Sequence, residues 1–230
     1  MTDIASGDEA GASTTFSTTN TGATSVTLAA TDGTLSVAAS TLNADLSSGI
    51  KYLGALTVTN IASGDETAAL AAYTTTTTGA TSVTLTASDG TWSVATADLA
   101  TALAAGVRFA GALTVTGIAD GNETAALTAY TTAKTGASTV TLTSDGAWSV
   151  SAANLTTALA AGVRFAGTLT VTAIANGDET AALTAYTKTT TGATTVTLTA
   201  TDTNWSVTGA ALTTALADGV FLLGTLSVTD

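Results

Sequence analysis

The sequence predicts an all-β protein, a tandem array of four small β-sandwich repeats, each with one short helical turn. Three observations carry this. The 230-residue chain repeats itself: Ile4, Ile61, Ile118 and Ile174 each open a copy, 57, 57 and 56 residues apart. A period of this length marks an array of similar modules. About a quarter of the residues are Thr, a β-branched type suited to half-buried pleated surfaces. Short runs alternate apolar and polar residues with period two, the mark of a half-buried strand. The repeats span residues 1–60, 61–117, 118–173 and 174–230, the first and last diverging as terminal caps do.

The third copy shows the elements in order. Gly111 to Gly117 alternates as a strand, and Asp120-Gly121-Asn122-Glu123 reads as a tight turn, because Gly and Asn tolerate positive φ. Thr124 to Thr131 reads as a second strand carrying Leu127 and Tyr130, ended by Lys134-Thr135-Gly136. Thr139 to Thr143 is the cleanest strand. Ser144-Asp145-Gly146 reads as a hairpin turn into Trp148-Ser149-Val150. Leu155, Leu159 and Val163 then recur at helical spacing. Ser151 is placed to cap that helix and Gly162 to end it in a left-handed conformation.

Composition narrows the function classes. Five basic against 17 acidic residues give a net charge of −12, which opposes binding to a phosphate backbone. Cys and His are absent, so no disulfide, Cys–His pair, Ser-His-Asp triad or imidazole metal site forms within one chain. No stretch reaches the roughly 18 apolar residues of a membrane helix. Met1-Thr2-Asp3 shows no basic or apolar leader. A catalytic site copied four times would be unusual, so the expectation is a protein that is not an enzyme.

One stretch carries a resemblance. Asp89-Gly90-Thr91-Trp92-Ser93-Val94, followed by Ala97-Asp98-Leu99 through Gly106, resembles the bacterial immunoglobulin-like repeats of surface adhesins. Related modules decorate phage heads and tails. Asp145 to Val150 with Asn154 to Gly162 matches, as does Asn204 to Val207 with Leu212 to Gly219; copy one has Leu35 in place of the Trp. The resemblance covers about 20 residues of each copy. It implies immunoglobulin-like sandwiches and a non-catalytic surface role.

Recurrent stations supply the candidate sites. Glu9, Glu66, Glu123 and Glu179 each follow an Asp or Asn. They read as solvated turn carboxylates, with Ca²⁺ the one cofactor left open, because two adjacent side chains fall short of the six to eight ligands it takes. Trp92, Trp148 and Trp205 read as core anchors rather than sugar-stacking platforms. Phe16, Tyr73, Tyr130 and Tyr186 share a core-edge station, with the phenols expected to reach solvent. Lys51, Arg108 and Arg164 share another, where copy four has Phe221 within the apolar run Phe221-Leu222-Leu223. These six residues are the candidate assembly contacts. The expected function is a structural component of a virion or cell exterior, of the decoration or fibre kind. It would act through self-association and docking to a scaffold protein, without nucleic acid or membrane insertion. The alternative is an adhesin or surface-layer module that binds glycans or a host surface.

Overall fold

The computed structural model describes residues 4, 5 and 7–229, and within them the chain is mixed α/β with parallel sheets only. Copy one contains α1 (Glu9–Thr15), α2 (Thr18–Thr21), β1 (Val26–Ala38), α3 (Ala39–Ser47) and β2 (Ile50–Ile61). Copy two contains α4 (Glu66–Ala72), α5 (Thr75–Thr78), β3 (Ser82–Ala95), α6 (Thr96–Ala104) and β4 (Val107–Ile118). In copy three both long strands are split: α7 (Glu123–Ala129), α8 (Thr132–Thr135), β5 (Thr139–Ser144), β6 (Trp148–Ser151), α9 (Ala152–Ala160), β7 (Val163–Ala166) and β8 (Thr168–Ile174). Copy four contains α10 (Glu179–Ala185), α11 (Lys188–Thr191), β9 (Thr195–Thr208), α12 (Gly209–Ala217) and β10 (Val220–Thr229). The chain forms two compact units, Met1–Leu113 with Lys134–Ser138, and Thr114–Ala133 with Thr139–Asp230.

The immunoglobulin-like, all-β expectation is therefore overturned. Parallel neighbours need a crossover of a dozen or more residues, commonly a helix. The nine-residue helices α3, α6, α9 and α12 with their flanks supply it. The helix expected from Leu155 and Leu159 is α9, with Ser151 Oγ accepting from the Asn154 amide at 3.4 Å and Gly162 at φ 77°. The segment read as a strand from Thr124 is α7, whose buried Ala126 and Leu127 face inward. The expected hairpin at Ser144-Asp145-Gly146 does not turn back; β5 and β6 pair onward with β7 and β8 in parallel.

Each long strand serves two sheets. In the second unit, Trp148, Leu169, Val196 and Val220 lie side by side in one four-stranded parallel sheet, β6-β8-β9-β10. Its β6 and β8 strands are the trailing halves of copy three, and the other two are leading halves of copy four. Past a register shift, the trailing halves of β9 and β10 pair only with each other, Asn204 with Thr225 through Thr208 with Thr229. The first unit repeats the plan: Ala55–Val58 of β2 lies between Thr34–Val37 of β1 and Ser82–Leu85 of β3. Burial alternates along β3, with Val83, Leu85, Ala87, Trp92 and Val94 buried and the Thr and Ser between them half-buried or exposed. Helices cover the apolar face: α4 and α6 pack on β3, and α10 and α12 on β9.

The step from one sheet to the next is a bend held at two points. Gly111, at φ 94°, lies so close to Gly90 that a Cβ on it would sit 2.2 Å from the Gly90 carbonyl oxygen. Beside it, the Trp92 indole N–H donates to the Ala110 carbonyl at 3.1 Å, and the ring meets Phe109 edge-on at 5.2 Å. Trp148 and Trp205 repeat the indole bond to Ala166 and Leu223 at 3.2 and 3.0 Å. Copy three is one residue shorter between Leu142 and Trp148 than copy two between Leu85 and Trp92. There the opposing carbonyl is withdrawn, and a Cβ at Gly167 would meet nothing within 4 Å. Gly111→Ala and Gly167→Ala both carry the positive-φ penalty of about 1–3 kcal/mol, but only the first adds a clash with backbone. Thermal melts of the two variants should show Gly111→Ala clearly less stable than Gly167→Ala; equal losses would remove the bend from the argument.

Candidate functional site

The recurrent site of this molecule is the junction between copies. It begins with the one-turn helices. Thr74 Oγ1 accepts from the Thr77 amide at 3.1 Å, and Gly79, at φ 82°, closes the turn. The same turn holds the end of its own copy's long helix, through Thr75 Oγ1 donating to the Ala105 carbonyl at 2.9 Å. Thr132 donates to Ala161 at 3.0 Å in the same way. From this anchored turn, the next copy reaches back. The Thr81 amide donates to Gly54 and the Thr194 amide to Gly167, both at 2.8 Å.

The tyrosine station completes the junction, and here sequence reasoning was wrong about the hydroxyl. Tyr73 is buried, and its phenol donates to the Ala39 carbonyl at 3.2 Å and bonds Asn43 at 2.9 Å, both on the preceding copy's α3. Tyr186 does the same on α9 through Ala152 and Thr156, at 3.2 and 2.9 Å. Burial holds the Tyr73 phenol above its ordinary range. Alanine-lined grooves of about 530 and 400 Å³ run beside these two contacts.

The cation station belongs to the junction too. The Lys51 ammonium donates to the Thr77 carbonyl of copy two. Arg108 donates to Val107 and Leu103 carbonyls at 2.8 and 3.4 Å, and Arg164 to Val163 and Leu159 at 2.9 and 3.4 Å. Each arginine thus neutralises the carbonyl end of the helix before it, where cations are favoured. The stems lie on the one-turn helices' closing glycines, Lys51 Cβ at 3.2 Å from a Cβ placed on Gly79 and Arg164 Cβ at 3.2 Å from one on Gly192. Phe221, at the same station in copy four, is 50% exposed; Leu222 is half-buried and Leu223 exposed.

The glutamates are not the solvated turn carboxylates read from sequence. Glu9, Glu123 and Glu179 are buried and Glu66 half-buried. Each folds back to accept the amide of the glycine two residues earlier: Gly7, Gly64, Gly121 and Gly177, at 2.7–2.8 Å. This closes the turn before each helix and puts negative charge at its start. Among the described residues no group of three or more acidic side chains is arranged to hold a metal. The three tryptophans are at most 1% exposed, as core anchors should be. Asp32, Asp89 and Asp202 each accept the amide two residues on at 3.0 Å; Asp89 sits below the usual carboxylate range because Thr91 donates to it.

Copy one hides a polar cluster that sequence reasoning missed. Asp45 and Tyr52 stand where copy two has Ala102 and Phe109, and Ser13 where it has Leu70. All three are buried, and the Asp45 carboxylate accepts from the Tyr52 phenol and from Ser13. Aligning the copies position by position exposes the exchange. Burial pushes the Asp45 carboxyl up, with the hydrogen bonds from Tyr52 and Ser13 opposing; burial and Asp45 push the Tyr52 phenol up.

A carboxyl raised in the folded state gives stability that is full below its unfolded value, about 3.9, and is lost as pH rises through the folded value. Asp45→Ala alone leaves the phenol without its acceptor and should cost about 1–3 kcal/mol. The Asp45→Ala/Tyr52→Phe pair restores the copy-two residues at two of the three positions, leaving Ser13, and should recover most of that loss near neutral pH, with a flatter stability profile above pH 4. Urea unfolding at several pH values checks both; a double variant less stable than Asp45→Ala refutes the account.

Comparison with family models, with curated proteins and with solved structures finds no match to this chain, so the junction geometry carries the functional reading.

Proposed function

We propose that the chain is a structural, non-enzymatic component of a virion or cell exterior that works by self-association and by docking to a scaffold. The observation that carries it is the pair of unfinished surfaces at the two ends of the repeat series. At the last copy the paired trailing halves of β9 and β10 have no third strand among the described residues. A two-stranded sheet is marginal in water, and an unpaired apolar edge invites another chain. Leu226 and Val228 are 44% and 53% exposed on that edge. Thr and Ser hydroxyls line the strand face away from the helices, and charge is sparse, a surface suited to an exposed coat. The glycan-binding alternative needs Trp and Tyr side chains exposed on one face; the burial of Trp92, Trp148, Trp205, Tyr73 and Tyr186 weighs against it.

Sedimentation velocity over a wide concentration range tests association directly. The weight-average mass should climb with concentration, and purified particles or envelopes should contain the chain at fixed stoichiometry. A strict monomer up to millimolar concentration, absent from such particles, would overturn the reading.

A further inference from the structure

The junctions between copies one and two and between copies three and four each bury two sets of side chains, and the terminal copies expose one set each. The trailing set in copies one and three is Leu42, Leu56 and Val58, and Leu155, Leu169 and Val171, none more than 1% exposed. Its counterparts in copy four are Leu212, half-buried, with Leu226 and Val228 exposed. The leading set in copies two and four is Thr78, Ala80 and Val83, and Thr191, Ala193 and Val196, all buried. Its counterparts in copy one are Thr21 and Ala23, exposed, and Val26, half-buried. Gly22 agrees: nothing lies within 4 Å of a Cβ placed there, whereas Gly79 and Gly192 carry the stem of a preceding cation. β1 and β10 are also the outermost strands of their sheets.

We infer that the trailing face is occupied by the leading face of a second copy of this chain, with Thr225–Val228 of β10 pairing in parallel with Ser25–Leu28 of β1. The inference rests on the self-association reading and gives it a partner and a register. That register follows the interior one, in which Ala55, Leu56, Thr57 and Val58 face Ser82, Val83, Thr84 and Leu85. Thr225 then faces Ser25, Leu226 faces Val26, Ser227 faces Thr27 and Val228 faces Leu28. The completed sheet has four strands, two from each copy. Phe221 lies over Gly22 as Lys51 lies over Gly79, and Phe16 lies over α12 as Tyr73 lies over α3.

The two departures from the interior pattern point the same way. At the station where interior junctions use Lys or Arg, the trailing face has Phe221; where they use Tyr, the leading face has Phe16. An interior junction joins segments already tethered, whereas two separate chains lose translational and rotational freedom on docking. Replacing a cation and a phenol with two phenyl rings increases the apolar area buried and removes polar groups that would need desolvation. Because the two faces differ, each docked copy still offers one of each. The contact is heterologous and continues beyond a dimer unless the series closes on itself.

The chain has no cysteine, so single cysteines report on neighbours cleanly. Thr27→Cys and Ser227→Cys are both at exposed positions. Adjacent strands about 4.8 Å apart fall within disulfide reach. Under mild oxidation, a mixture of the two variants should form the mixed disulfide, each variant alone should stay largely uncrosslinked, and the double-cysteine chain should form a covalent ladder. Leu226→Lys/Val228→Lys should abolish the ladder and return sedimentation to the monomer with an unchanged circular dichroism spectrum. Efficient homodimers of Ser227→Cys alone would mean that two trailing faces meet. That result, an unreactive mixture, or association that survives the lysine pair would overturn the head-to-tail register while leaving self-association standing. A wild-type chain that never associates would overturn both.

Discussion

A parallel pair of strands that leaves one sheet and enters the next is the constraint on which this molecule is built. The pair must bend together, and the bend allows little freedom. On the even strand of copies one, two and four it needs a residue without a Cβ, because Gly54, Gly111 and Gly224 lie against the Gly33, Gly90 and Thr203 carbonyls. In copies two, three and four an indole donor on the odd strand holds the even strand in place, as Trp92 does through Ala110, while copy one bends with Leu35 at that station. Once the bend is set, the trailing halves of one copy lie beside the leading halves of the next. Every other contact at the junction, from the tyrosine on the preceding helix to the cation on the closing glycine, depends on that alignment.

This arrangement explains how short copies remain folded without disulfides. A unit of this size buries a small fraction of its surface by itself. Here the sheets are completed across copies, so stability is shared between neighbours, as in repeat proteins generally. Among the described residues no buried side-chain nitrogen or oxygen lacks a hydrogen-bond partner, even in the Asp45–Tyr52–Ser13 cluster. The terminal copies depart from the interior ones at positions that would face a neighbour, Phe16 and Phe221.

Much of the local structure was legible. Alternation located the strands around Val115 and Val140, and the Leu155–Leu159 spacing with Ser151 and Gly162 located α9 and its caps. The tryptophans read correctly as core. The helix at Glu123 was misread as a strand because Thr and Tyr weighed more than they should have beside Glu, Ala and Leu, which favour helix. Its buried Ala126 and Leu127 and its acidic first turn were the overlooked signals. The Asp45 cluster lay in plain view as three substitutions far apart in sequence, but nothing in the sequence brought Ser13, Asp45 and Tyr52 to one point.

By itself the sequence determined the period, the alternating strands, the long-helix positions and the apolar anchors, because those follow from side-chain spacing and local backbone preference. Tertiary structure alone decided that the strands run parallel, that Asp-Gly marks a bend rather than a reversal, and that strands of copies one and two, and of copies three and four, lie side by side. Hydrogen-bond partners in a sheet are chosen over tens of residues. The same Thr-Val-Leu alternation satisfies a hairpin or a crossover equally well until the intervening helix has packed.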